Sequence, residues 1–161
     1  MKKGFTLVEI LVAVMIVTLL VTAAVPIYER TVEKSRIAEA RMMLKKIYES
    51  KMRVMDAMNL DSFNNEFGFQ NLDMSMACAG NVACSGSTAN TKDFTYYLKP
   101  TNGNANGVCA ARRKGDHKGV NLLFLGEEVT TQKLLCNNGS SGGSCDAYGM
   151  NSQGSVYCTP K

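Results

Sequence analysis

From Phe5 to Val25 the chain is apolar at almost every position, and Glu9 is the only ionisable side chain in that stretch. A helix of those 21 residues covers roughly 31 Å, close to the ~30 Å hydrocarbon core of a bilayer. A lone span must satisfy its own backbone polar groups, so the pattern predicts one membrane helix. Pro26 removes a helical hydrogen bond and predicts a bend, yet helix-forming residues resume at once. From Tyr28 to about Asn59 there is no Gly or Pro, and Ile37, Leu44, Ile47, Tyr48, Met55 and Met58 recur at three- to four-residue spacing. They predict one apolar stripe, with Glu33, Lys34, Arg41, Lys45, Glu49 and Arg53 on the opposite face. Met42, Met43, Met52, Met55 and Met58 read as adaptable core rather than as a cofactor box.

Beyond Asn59 the periodicity changes. Residues 61–92 are polar and rich in Gly, Asn and Ser, and predict a loop with at most one short helix. Strand signals follow at Phe94–Leu98, Val108–Arg112, Val120–Leu125 and Lys133–Cys136, separated by turn-forming stretches such as Asn102–Gly107. They predict an antiparallel meander, and the Gly/Ser-rich residues after Cys136 a pinned tail. A small sheet needs cover, and the apolar stripe of the long helix supplies it. The fold class is therefore α+β, with a helix whose first half suits lipid and whose second half is the spine of a globular head.

Composition refines this picture in two ways. All six cysteines, Cys78, Cys84, Cys109, Cys136, Cys145 and Cys158, lie in the second half, and an even count in a small exported domain predicts disulfides. Short loops favour Cys78–Cys84 and Cys136–Cys145, which leaves Cys109–Cys158 to tie the tail to the sheet. Zinc is disfavoured, because the closest cysteines are six apart and the chain has one histidine. The formal charge of +4, two units lower if Lys2 and Lys3 are removed, is too small to indicate nucleic acid as a partner. Lys2 and Lys3 favour a cytoplasmic N-terminus, modestly, since the other flank carries mixed charge.

Glu9 needs a counter-charge or a route to the headgroups, because a carboxylate in hydrocarbon is costly. No Lys or Arg follows it within a turn, so the nearest candidate is an amine made by cutting the chain before Phe5. A secretory signal peptide has a basic start and a small-residue cleavage site, for which Thr22-Ala23-Ala24 would serve. This apolar stretch is too long for one and carries an acid.

Lys3-Gly4-Phe5-Thr6-Leu7-Val8-Glu9 resembles the class III signal of type IV pilins and their pseudopilin relatives, specifically over about the first 30 residues. The resemblance implies a pilin-like lollipop. It also implies that a prepilin peptidase cuts after Gly4 and methylates Phe5, that Glu9 meets the freed Phe5 amine during polymerisation, and that Pro26 kinks the helix. A glycine often found partway along the pilin span is absent, and Thr18 stands there. The implied division is a leader at 1–4, a transmembrane and filament-core helix at 5–25, its amphipathic continuation at 26–59 and a head at 60–161. The implied partners are copies of this chain in a helical filament, the inner membrane, an assembly ATPase, a platform protein and minor pilins. The precursor would cross the inner membrane once and the assembled subunit would be extracellular. Many pilins carry a C-terminal disulfide loop, which makes Cys145–Cys158 the rival pairing.

No catalytic constellation or cofactor motif is legible, so the chain reads as a structural protein and not an enzyme. His117 sits in a charged segment that predicts a solvated hairpin turn, and Arg112-Arg113-Lys114 with Lys118 predicts a solvated charged turn rather than a phosphate contact. Asp116, Asp146 and nearby asparagines form no recognisable calcium loop. The competing functions are a type II secretion pseudopilin, which the cysteines and the lack of a calcium loop disfavour, and a membrane-anchored periplasmic binding module.

Overall fold

A computed structural model describes residues 4–60, 67–80, 84, 86–100, 107–115, 117–127, 131–138, 143–153 and 158. One helix, α1, runs unbroken over 52 residues from Leu7–Met58, about 78 Å at helical rise. It passes through Pro26 without ending there. Asn59 stops it with a left-handed backbone (φ 51°), a conformation that asparagine tolerates better than most residues.

Ile37 is the first helical residue to be buried, and Ala40, Leu44, Ile47, Ser50, Lys51, Val54 and Met55 continue the buried stripe. Between Leu7 and Thr31 every side chain is exposed. The two halves thus differ as the patterning predicts, with corrections in the second. Met42 and Met58 are exposed, whereas Ala40, Ser50, Lys51 and Val54 join the core. Glu33 is not on the solvent face; it turns towards the head.

The sheet is a five-stranded meander: β1 (Thr88–Asn90), β2 (Phe94–Tyr97), β3 (Val108–Arg112), β4 (Asn121–Glu127) and β5 (Thr131–Asn137), each antiparallel to the next. β1 falls in the segment whose composition predicts loop. Its three residues carry no alternating apolar signal and are held by pairing with β2 in the register Thr88↔Tyr97 to Asn90↔Thr95. A short 3₁₀ helix at Phe69–Asn71 precedes it, and another at Cys145–Tyr148 gives the tail regular structure that its Gly/Ser content conceals.

Alternation along the strands builds two apolar layers. Phe94, Tyr96, Val108, Ala110, Leu122 and Phe124 share the larger core with the helix, where the Tyr48 and Phe124 rings meet edge to face at 5.5 Å. Cys109 and Leu123 point the other way and pack with Cys158. The helix thus covers one face of the sheet, and Cys158 packs on the other. Disulfides join Cys109 to Cys158, Cys136 to Cys145 and Cys78 to Cys84.

Candidate functional site

Two regions concentrate unusual chemistry: the exposed start of α1 and the junction where α1 enters the head.

At the start, Gly4 stands in open space and Phe5 is 83% exposed. Thr6 is the N-cap, with an extended backbone that lets its hydroxyl face the first turn. The Glu9 amide donates to the Thr6 hydroxyl at 3.3 Å, while Glu9 Oε2 accepts from the Thr6 amide at 2.9 Å and from its hydroxyl at 2.8 Å. This is a complete capping box. The acid that lacks any cation within a turn is thus satisfied by Thr6, three residues before it. The Thr-x-x-Glu spacing is the signal that identifies such a box, but attention to charge alone passes over Thr6. The Thr6 amide belongs to the peptide bond made by Phe5. An amine freed at Phe5 would lie one residue upstream of the group that Glu9 already holds.

The rest of the span offers only apolar surface. Leu7, Val8, Ile10, Leu11, Val14, Met15, Leu19 and Leu20 are all exposed. Thr18 and Thr22 do not alter that, because their hydroxyls donate back to the carbonyls of Met15 and Leu19 at 2.8 Å. The stretch is long and apolar enough to cross a membrane.

At the junction, Arg112 at the end of β3 is buried and joins the helix to the sheet. Its guanidinium donates to Glu33 at 2.9 Å and to the Asp93 carboxylate at 2.8 Å, and lies 5.3 Å from the Phe94 ring centroid. Arg36 also bonds Glu33 and approaches Asp93 at 3.8 Å, which closes a charge-balanced quartet. Burial would raise the Asp93 carboxyl, but the hydrogen bond and charge of Arg112 outweigh it and the net shift is downward. Burial likewise works against the Arg112 charge, and Asp93 and Glu33 reverse the balance upward.

The basic run is therefore not a uniform solvated turn. Arg112 is internal, Arg113 donates to the Thr91 carbonyl at 2.5 Å, and only Lys114 and Lys118 are exposed. His117 is not solvated either; it is half-buried with its ring 5.3 Å from that of Tyr148. Burial pushes the Tyr148 hydroxyl up to about 12. Of the residues considered for calcium, Asp146 lies in the first turn of the second 3₁₀ helix, where its amide donates to the hydroxyl of the N-cap Ser144 and its carboxylate accepts from it, and Asp116 lies outside the described residues. Among the described residues no group of three potential metal ligands occurs.

Lys51 is the remaining anomaly. It is fully buried, and its ammonium donates to the carbonyls of Leu98 at 2.8 Å and Gly107 at 3.1 Å. It ties the end of β2 and the start of β3 to the helix. Burial, reinforced by Lys99, pulls it down to about 8. A lysine within a basic, Met-rich helix carries no sequence signal of such a place.

Residues 1–25 match the family model of the prokaryotic N-terminal methylation motif, the class III signal of type IV pilins and pseudopilins. The motif implies processing by prepilin peptidase and a subunit of a pilus or pseudopilus, and with the long apolar helix it fits a membrane-anchored precursor. Neither the curated proteins nor the solved structures include a match to the chain.

Proposed function

We propose that the chain is the structural subunit of a type IV pilus. Prepilin peptidase cuts after Gly4 and methylates Phe5, removing residues 1–4. Residues 5–25 hold the precursor in the inner membrane, with the head (60–161) carried outside on the second half of the helix (26–59). During assembly, driven by an ATPase and a platform protein and primed by minor pilins, the helix leaves lipid for the filament core. Both environments are apolar, so transfer alone supplies little direction and polar contacts must set register.

The observation that carries this reading is the exposed, unpartnered apolar face of α1 opening on a motif with Glu9 at its first turn. Glu9 exchanges its local cap for the Phe5 amine of an adjoining copy. The filament reading is favoured over the secretion pseudopilus by three disulfides that brace the head, a feature suited to a surface filament.

Shearing intact cells and sequencing this chain's N-terminus by mass spectrometry tests the proposal. Methylated Phe5 in the sheared fraction is the expected result. Methylated Phe5 confined to membranes would assign the chain to a pseudopilus, and a chain starting at Met1 would reduce the helix to an anchor for a binding module. Glu9→Ala should abolish filaments while leaving the head folded; a normal filament yield from that variant would refute the role of the carboxylate.

A further inference from the structure

The contacts of α1 show which end of the head faces its apolar half. Lys51 meets Leu98, just past β2, and Gly107, just before β3. Nearer the start of the helix, Arg36 and Glu33 meet Asp93, just before β2, and Arg112, the last residue of β3. β2 and β3 thus lie along the helix, and the turns before β2 and after β3 project towards residues 5–25. The β3–β4 turn hangs beside the helix there, because Gly115 and His117 line one cavity with Pro26, Glu29 and Arg30. Its shape is held by bonds from the Lys118 amide to the Gly115 carbonyl at 3.1 Å and from the Gly119 amide to the Arg112 carbonyl at 2.9 Å.

This end is basic. Lys92, Arg113 and Lys114 border one hollow of about 480 Å³ with Thr91 and the Cys78 loop, and Lys118 closes the same turn. Lys92, Lys114 and Lys118 are exposed and make no ion pair among the described residues. Arg113 gives its guanidinium to the neutral Thr91 carbonyl and keeps its charge. The nearest carboxylates, Glu33 and Asp93, are already taken by Arg112 and Arg36. Arg30 offsets Glu29, and subtracting Asp116 and Asp146 from the four cations leaves a surplus of two. That equals the net charge of the whole chain without Lys2 and Lys3, so the positive charge is concentrated where the head faces the apolar helix.

Position supplies the partner. If 5–25 spans the bilayer, residues 26–36 rise from about 2 to 16 Å beyond Val25. The headgroup layer is roughly 5–7 Å deep on each side. The field of a charged surface persists for about a further 8 Å at physiological salt. The turn beside that stretch of helix lies within this field. Its lysines act across water, so no headgroup has to enter the fold.

We propose that Lys92, Arg113, Lys114 and Lys118 form a membrane-facing rim that docks the head of the precursor on an anionic phospholipid surface. The anchor holds the rim at the bilayer, and the rim sets the tilt of the head while the chain waits for assembly. The proposal rests on the membrane-anchored reading of residues 5–25. The attraction is electrostatic and unspecific for headgroup shape, so it follows the surface charge of the bilayer and fades with salt.

The test uses the full chain in nanodiscs of phosphatidylcholine, with or without phosphatidylglycerol, doped with a lipid that carries a gadolinium chelate on its headgroup. NMR then reads the relaxation of each backbone amide as its nearness to the headgroups. Each cation near an anionic surface favours the docked head roughly fivefold. The expected result is relaxation at the Lys92, Lys114 and Lys118 amides about threefold stronger in the anionic discs, lost when ~1 M salt shortens the screening length to about 3 Å. Combined Lys92→Gln, Lys114→Gln and Lys118→Gln should erase the difference and leave the core amides unmoved, since these side chains are exposed. Lys46→Gln, exposed higher on α1, should keep it. Equal relaxation in the two discs overturns the proposal, as does a difference that survives high salt or the triple variant. Duplex DNA that shifts the same amides, with no response to phosphatidylglycerol, would also overturn it and assign the rim to nucleic acid. Failure of the chain to float with vesicles refutes the anchored reading itself, and the docking rim falls with it.

Discussion

Replacing Lys51 by methionine should flatten the rise in stability that the protein shows between neutral and alkaline pH. In the folded chain the Lys51 ammonium is lowered from 10.5 to about 8, chiefly by burial. The unfolded chain therefore binds more protons than the folded one between those values, and stability increases with pH through that window. At pH 7 the buried charge costs roughly 3 kcal/mol; by pH 9.5 the cost falls to about 1.4 kcal/mol, a gain of about 2 kcal/mol. Tyrosines with raised pKa begin to oppose this near pH 10, but they are common to both proteins and cancel in the comparison. The six cysteines are all bonded and contribute nothing. Methionine fills a similar volume and removes the charge, while it leaves the Leu98 and Gly107 carbonyls without this donor, at about 1–3 kcal/mol each. The two effects nearly offset at pH 7, so the diagnostic quantity is the slope and not the absolute stability. Urea unfolding of the full chain in nonionic micelles, followed by near-ultraviolet circular dichroism from pH 7 to 9.5, measures it. Parallel pH dependence of the parent and Lys51→Met would refute the reasoning.

Other residues yield shorter predictions. Arg112→Met should destabilise by roughly 3–5 kcal/mol, because it strands the Glu33 and Asp93 carboxylates that it joins; a urea midpoint unchanged from the parent would contradict this. Removing Cys109–Cys158, which closes 49 residues, should cost about 4 kcal/mol against about 2 kcal/mol for Cys78–Cys84, and paired alanine variants compared by calorimetry would reveal any other ranking. Gly143→Ala should cost about 1–3 kcal/mol, since its Cβ would stand 2.6 Å from Val120 Cγ2 and 2.7 Å from the His117 carbonyl oxygen; thermal melts decide. Above pH 10 stability should fall, because Tyr148, at about 12, keeps its proton in the folded state after unfolded tyrosines have lost theirs. The loss reaches roughly 2 kcal/mol by pH 12, and tyrosinate absorbance, rising only with unfolding for this residue, would report it.

What could be read from the linear chain follows local rules. The apolar run 5–25 and the spacing of Ile37, Leu44, Ile47 and Met55 predict one long helix with two different halves, because periodicity is a property of consecutive residues. Four of the five strands carry their own alternation or aromatic content. β1 does not, and exists only because β2 offers it a ladder. The capping box was legible in Thr6 and Glu9, since both partners lie within one turn. Cys109–Cys158 could be reached by elimination among six cysteines, but charge pairings across long separations were not legible. Glu33 meets Arg112 across 79 positions and Lys51 reaches Gly107 across 56. A charge on a helix reads as solvent-facing until the chain folds back upon it. Which charges are buried, and which of their atoms are left unpaired at the helix–head junction, is decided by how the sheet docks against one face of the helix, because desolvation depends on every neighbour at once and no single stretch of chain encodes it.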